Sequence, residues 1–226
     1  QEALDIIRRY SVQSLGYFIE HKHLFSYFAD LASTSDVGTS DLLQFIQEAL
    51  SAVEMSTFNS ESQEEFDNLF EDLDLNSSKL GSSSKEKTEL IAKVIVQLNK
   101  LDFDLDNPKT DILGDAYEYL IAQFASGAGK KAGEFYTPRE VSTILAKIVT
   151  SGKDHIDAAY DPTCGSGSLL LRVNEVLKSE TEDELPVRMI YGQEMNRTTF
   201  NLARMNLLMH GRHFKFFDIQ HGNTLE

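Results

Sequence analysis

One cysteine, Cys164, is all the thiol chemistry that these 226 residues hold, so no internal disulfide forms and a reducing compartment is expected. No apolar run approaches the roughly 20 residues needed to span a bilayer. No secretory signal opens the sequence, and because the first residue is Gln1 rather than Met, a trimmed or processed start is expected. Basic side chains are scarce: 21 Lys and Arg stand against 36 Asp and Glu, a formal net charge of −15. Residues 1–110 alone carry 20 acidic and 9 basic side chains. Such a chain is ill suited to gripping nucleic-acid phosphates unaided, so any role there requires positive surface from elsewhere. What is present is ordinary for a globular protein. The 41% hydrophobic and 25% charged residues exclude collagen-like, coiled-coil and wholly disordered classes. The length suffices to bury a core without disulfides.

The first 110 residues read as helices. Leu42, Leu43, Phe45, Ile46 and Leu50 recur at helical spacing after Thr39-Ser40-Asp41, which offers N-cap residues. A second helix is expected from Ser62 to Leu73, with Phe66, Leu69, Phe70 and Leu73 on one stripe and the acids of 61–74 on a solvated face. A loop at 76–84 precedes a helix carrying Leu90, Ile91, Val94, Ile95 and Leu98. Another amphipathic helix spans Ile112 to Phe124 and ends near Gly127 and Gly129. From there strands alternate with helices. A helix with Val141, Ile144, Leu145 and Ile148 leads to a strand at 156–160, a helix carrying Leu169 to Leu177, a strand at 187–191, a helix from about 196 to 210, and a third strand expected at 213–219. That alternation argues a parallel sheet with crossover helices.

Three segments carry chemistry. Asp161-Pro162-Thr163-Cys164-Gly165-Ser166-Gly167 lies between a strand and a helix, where a glycine turn lets a ligand approach the backbone and the helix start offers free N–H groups. The dinucleotide pattern G-x-G-x-x-G is incomplete, since Leu170 stands at its last glycine, and no Gly-Lys-Ser/Thr follows to make a phosphate loop. Asp161 suits a cationic group rather than a pyrophosphate. Gly192-Gln193-Glu194 ends the second strand, where a carboxylate can take both hydroxyls of a ribose. In Gly133-Glu134-Phe135-Tyr136-Thr137-Pro138-Arg139-Glu140, local structure explains three residues: Thr137 as N-cap, Pro138 at the first helical position and Glu140 completing a capping box.

Together with the closing Gly222-Asn223-Thr224-Leu225, these segments resemble the S-adenosylmethionine-dependent adenine-N6 DNA methyltransferases, above all the modification (M) subunit of type I restriction-modification systems. The resemblance covers about 113–226, with Leu113-Gly114-Asp115-Ala116-Tyr117-Glu118-Tyr119-Leu120 as its lead-in. It implies an α-helical N-terminal domain, 1–125, serving assembly and DNA enclosure. An α/β Rossmann-like S-adenosylmethionine-dependent methyltransferase domain follows, its first part at 126–226 and incomplete at its C-terminus. Carried over residue by residue, it implies that Glu134, Phe135, Tyr136, Thr137, Pro138 and Arg139 lie against the methionine end of S-adenosyl-L-methionine. Asp161, Gly165, Ser166, Gly167 and Ser168 form the loop beneath the cofactor. Glu194 binds the ribose hydroxyls, and Asn223 lies at the adenine ring. The family's catalytic Asn/Asp-Pro-Pro-aromatic motif, which holds a flipped adenine, is absent from the sequence: Asn107-Pro108 is followed by Lys109 and lies upstream. The resemblance therefore implies a motif beyond Glu226 and a chain that transfers no methyl group alone. It also implies a specificity subunit, a restriction subunit, a second modification subunit and DNA as partners, no membrane, and a prokaryotic cytoplasmic setting.

The remaining candidates have plainer readings. Cys164 reads as a small side chain packed under the sheet rather than a nucleophile. His210 and His213 have an i, i+3 spacing without a third metal ligand nearby, and read as a helix C-terminal pair. Arg197, Arg204 and Arg212 read as a solvated face. The rival function is a non-catalytic assembly or regulatory module on a nucleotide-type fold. An oxidoreductase is disfavoured by Leu170.

Overall fold

A computed structural model describes residues 2–33, 41–104, 111–127, 136–180 and 185–226. They form two compact units, one within Gln1–Asp104 and one within Leu105–Glu226. Among the described residues no helix is long and apolar enough to cross a membrane.

The first unit is helical: α1 (Glu2–Leu15), α2 (Phe25–Ala32), α3 (Leu42–Ser56), α4 (Gln63–Phe66) and α5 (Ser84–Leu98). Its core is where α2, α3 and α5 meet, through Phe28, Ala29, Ala32, Leu42, Ala49, Ala92 and Ile95. The small residues let the helices approach, while Leu42 and Phe28 fill the space between them. Ser83 caps α5 by accepting from the Glu86 amide (3.2 Å), and Glu86 reaches back to accept from the Ser82 amide (2.7 Å). That contact holds the Glu86 carboxyl below its usual range. The helix expected over 62–73 is only four residues long. Asp67 turns extended and Asn68 adopts a left-handed φ of 53°, which ends α4, although Phe66 and Leu69 are buried as the stripe implied.

The second unit begins with α6 (Ile112–Gly127) and continues with α7 (Arg139–Thr150), β1 (Ile156–Asp161), α8 (Ser168–Glu180), β2 (Val187–Glu194), α9 (Arg197–Met209) and β3 (Phe217–His221). The expected division at 125/126 differs from the observed one because α6 belongs to this unit, where its Glu118 pairs with Arg172 of α8 and Asp111, just before it, with His210. The strands are parallel in the order β1-β2-β3. Ala159, Ile190 and Phe217 align across the sheet on the face that packs against Leu170, Leu171, Leu177, Phe200, Ala203 and Leu207 of α8 and α9. Tyr160 and Tyr191 are register partners on the other face, and both are exposed.

Three expectations shift. The third strand starts at Phe217 rather than His213: Phe214–Phe216 forms a 3-10 turn that His213 caps by accepting from the Lys215 amide (3.2 Å), while Phe214 is buried. Helix α7 starts at Arg139, so Pro138, not Thr137, occupies the cap position, and no side chain completes a capping box. The Pro138 carbonyl still accepts the first helical bond, from Ser142 (3.0 Å). Arg204 and Arg212 do not lie on a solvated face. Arg204 is buried over the Phe200 ring (4.2 Å) and donates to Asn201 Oδ1 (2.6 Å). Arg212 donates to the carbonyls of Val187 and Arg188, and burial lowers its pKa to about 10.

Candidate functional site

The site follows from register. Asp161, at the end of β1, pairs with Gly192, and β2 runs on to Glu194, so the glycine loop and Glu194 meet beyond the carboxyl ends of the strands. That is where open parallel sheets bind ligands. The loop is held in shape by a set of hydrogen bonds. Asp161 Oδ1 accepts from the Thr163 amide (2.9 Å). The Cys164 amide donates to the Gln193 carbonyl (3.0 Å) and the Gly167 amide to the Cys164 carbonyl (2.9 Å). Gly165 and Gly167 adopt φ of 56° and 76°, which L side chains rarely take, and this explains the glycines. The Ser166 and Ser168 hydroxyls lie 3.0 Å apart and buried.

Glu194 is the centre of this arrangement. Its Oε2 accepts from the Gly165 amide (3.1 Å) and its Oε1 from the Asn196 amide (2.7 Å). A carboxylate has about four lone-pair positions, so two backbone donors fix its orientation and leave one position on each oxygen for a pair of vicinal hydroxyls. The chain beyond β3 closes on the same loop. The Gly222 amide donates to the Glu194 carbonyl (3.0 Å), and the Thr224 hydroxyl donates to the Pro162 carbonyl. Asn223 lies between them, its Oδ1 accepting from the Leu225 amide (3.1 Å).

Cys164 packs under this platform. A Cβ on Gly192 would stand 2.9 Å from its sulfur and 2.7 Å from Ile219 Cδ1, so only glycine fits there. Burial, with the Asp161 and Glu194 carboxylates adding to it, pushes the Cys164 thiol up to about 12. A thiol so protonated is no nucleophile.

The structure thus brings Asp161, Gly165, Ser166, Gly167, Ser168, Glu194 and Asn223 together. Glu134 and Phe135 lie outside the described residues. The contacts of the 136–139 segment run to α6 and α8 instead. Arg139 approaches Asp115 (3.6 Å) and Glu175 (3.9 Å). Tyr136 has its pKa raised by burial, with the Glu118 and Glu140 carboxylates adding to it. Behind that segment Arg172, almost wholly buried, donates to Glu118 (3.0 Å) and pairs with Glu175. Burial pushes the Glu175 carboxyl above its usual value despite the opposing Arg172. His210 Nδ1 meets Asp111 Oδ2 at 2.5 Å, and His213 stacks on Phe214 (4.3 Å), so the two imidazoles serve different contacts.

Sequence reasoning missed the Glu118–Arg172 pair, which joins residues 54 apart and leaves no local signal. It also missed Asn206, a polar residue on the apolar stripe Phe200-Ala203-Leu207, and that break in the stripe was the available clue.

A parallel sheet with a glycine loop and an acidic residue at adjoining strand ends defines a nucleotide- or nucleoside-binding α/β protein. The N-6 DNA methylase family matches residues 108–226, more than half of the chain, and the chain belongs to that family. Among its relatives, the type I restriction enzyme MpnII methylase subunit of Mycoplasma pneumoniae is 36% identical over 99% of this chain and 41% of its own length. The MjaVIII methylase subunit of Methanocaldococcus jannaschii is 35% identical over 62% of this chain and 22% of its own length. The crystal structure of a type I restriction-modification system methyltransferase subunit from Streptococcus thermophilus superposes with a TM-score of 0.79 at 33% identity, covering all of this chain and 47% of that one. The chain therefore spans less than half the length of these relatives.

Proposed function

We propose that this chain is the cofactor-holding part of a type I modification subunit, which methylates adenine N6 in DNA with S-adenosyl-L-methionine. The observation that carries this is Glu194, oriented by the Gly165 and Asn196 amides so that both oxygens keep an open position toward a ribose. The residues fit the group: a carboxylate for vicinal hydroxyls, a glycine loop permitting close backbone approach, and Asp161 for a cationic amino group. In this reading Glu194 holds the ribose, Gly165 to Ser168 support the cofactor from beneath, Asp161 faces the ammonium directly or through water, and Asn223 lies at the adenine end. Glu134 to Arg139 flank the methionine end, with Arg139 and Tyr136 steadied by Asp115, Glu175 and the Glu118–Arg172 pair. The bound cofactor supplies an electrophilic sulfonium methyl, and the chain's part is to orient it and keep it from water.

The acceptor machinery belongs to residues beyond Glu226 in this reading. Two features support a sheet that continues. Among the described residues Tyr160 and Tyr191 are exposed on one face of the sheet, whereas parallel sheets are covered on both. Along α7, Val141, Ile144, Leu145, Ile148 and Val149 are all exposed. The relatives' greater lengths agree. The partners of the complex are a specificity subunit, a restriction subunit, a second modification subunit and DNA, in a prokaryotic cytoplasm, with the helical unit within residues 1–104 serving assembly and DNA enclosure.

The test is transfer of labelled methyl from S-adenosylmethionine to DNA. The full-length protein with its specificity subunit is expected to label adenine N6, Glu194→Ala to lose most of that label, and the 226-residue chain alone to give none. Label on DNA from this chain alone would overturn the division of labour.

A further inference from the structure

The glycine loop is tied from two sides, and the proposed cofactor role uses only one. Glu194 holds the Gly165 amide. On the other side Asn206, in the last turn of α9, donates from Nδ2 to the Ser166 carbonyl at 2.9 Å, across 40 residues of chain. Its side chain has no exposure, and Ser166 is equally enclosed. The Asn206 Oδ1 finds no hydrogen-bond partner among the described residues. One half of this amide is therefore buried at a cost, and only the Nδ2 donor offsets it. Three residues earlier on the same helix, Ala203 packs against Gly167, its Cβ 3.7 Å from where a Cβ on that glycine would stand. Helix α9 thus presents a small residue to Gly167 and a donor to Ser166, between two glycines in left-handed conformations.

We infer that Asn206 is a positioning residue for the cofactor loop. By fixing the Ser166 carbonyl it sets the plane of the peptide joining Ser166 to Gly167, and hence where the loop's backbone meets the ligand. The inference rests on the reading of this loop as the S-adenosylmethionine loop. An apolar side chain of the size of Asn206 would leave no orphaned Oδ1 but would take this donor from the enclosed Ser166 carbonyl. The value of Asn206 lies in the one bond it makes to the loop. The bond does not touch the ligand, so Asn206 acts through Ser166 and not as a catalytic residue.

The experiment uses the full-length protein and two readouts: calorimetric titration with S-adenosylmethionine, and amide hydrogen exchange over 163–168. The variants are Asn206→Leu, which removes the donor, and Asn206→Asp, which keeps the shape but presents an acceptor to the Ser166 carbonyl. Leu207→Ala is the control, because it is just as buried on the same helix and its side chain has no hydrogen-bonding group to offer the loop. Both Asn206 variants are expected to bind about tenfold more weakly, the loss of one positioning hydrogen bond, with faster exchange confined to the loop. Leu207→Ala is expected to lower the melting temperature and keep affinity within about twofold, since its cavity lies in the core. Wild-type affinity and wild-type loop exchange in a folded Asn206 variant overturn the inference. So does an equal loss of affinity in Leu207→Ala, which makes the effect one of general stability. Failure of the wild-type protein to bind overturns the cofactor reading instead, and the exchange readout then decides by itself whether Asn206 holds the loop.

Discussion

Cys164 and Gly192 show how closely the platform beneath the loop is packed. The sulfur occupies the space that a side chain at 192 would need, with Ile219 on the other side. Gly192→Ala is expected to destabilise the protein by about 1–3 kcal/mol, the usual range for overpacking a close-fitted site, read as a lower midpoint in urea. Burial pushes the Cys164 thiol up to about 12, so at pH 8 it stays protonated. Native protein at that pH is therefore expected to resist iodoacetamide, and unfolded protein to react completely. Rapid native labelling would show the loop to be open where the structure has it closed.

At the scale of elements, the ion pairs between α6 and α8 hold the segment that leads into α7. Arg172 and Glu118 have side chains 5% and 10% exposed, so Glu118 depends on Arg172 for its charge, while Arg172 is shared with Glu175. Removing the cation strands the buried carboxylate, and Arg172→Met is expected to cost about 3–5 kcal/mol, whereas Arg172→Met with Glu118→Leu recovers the part due to Glu118 and leaves Glu175 without its partner. Urea denaturation of the single and double variants measures it. The same scale shows what the sequence made legible. The approximate α9 boundaries, the β1-loop-α8 unit and the end of β2 at Glu194 followed from apolar period and glycine pattern, because each is a local signal. The start of β3 was hidden because Phe214 and Phe216 read equally well as strand or turn until His213 caps the turn. The short α4 was hidden because its apolar stripe continues past Asn68, where the backbone turns left-handed. The inward turn of Arg204 was hidden because the Phe200 ring and Asn201 that receive it are its partners only once α9 is packed.

At the scale of the molecule, charge and site belong to different stretches of chain. The acidic excess lies mostly in residues 1–110, while the glycine loop, Glu194 and Asn223 lie in the α/β unit. A net charge of −15 works against phosphate binding, so this chain by itself is expected to give no shift of duplex DNA at about 0.15 M salt in a gel assay. The proposed complex with a specificity subunit is expected to give one. The central claim, that the loop and Glu194 form an S-adenosylmethionine site, is tested most directly by calorimetric titration of the full-length protein with S-adenosylmethionine and, in parallel, with NAD. The account predicts saturable binding of S-adenosylmethionine alone, weakened by Glu194→Ala and by Asp161→Ala. A folded protein that binds NAD, or that binds S-adenosylmethionine equally well without the Glu194 carboxylate, would contradict it.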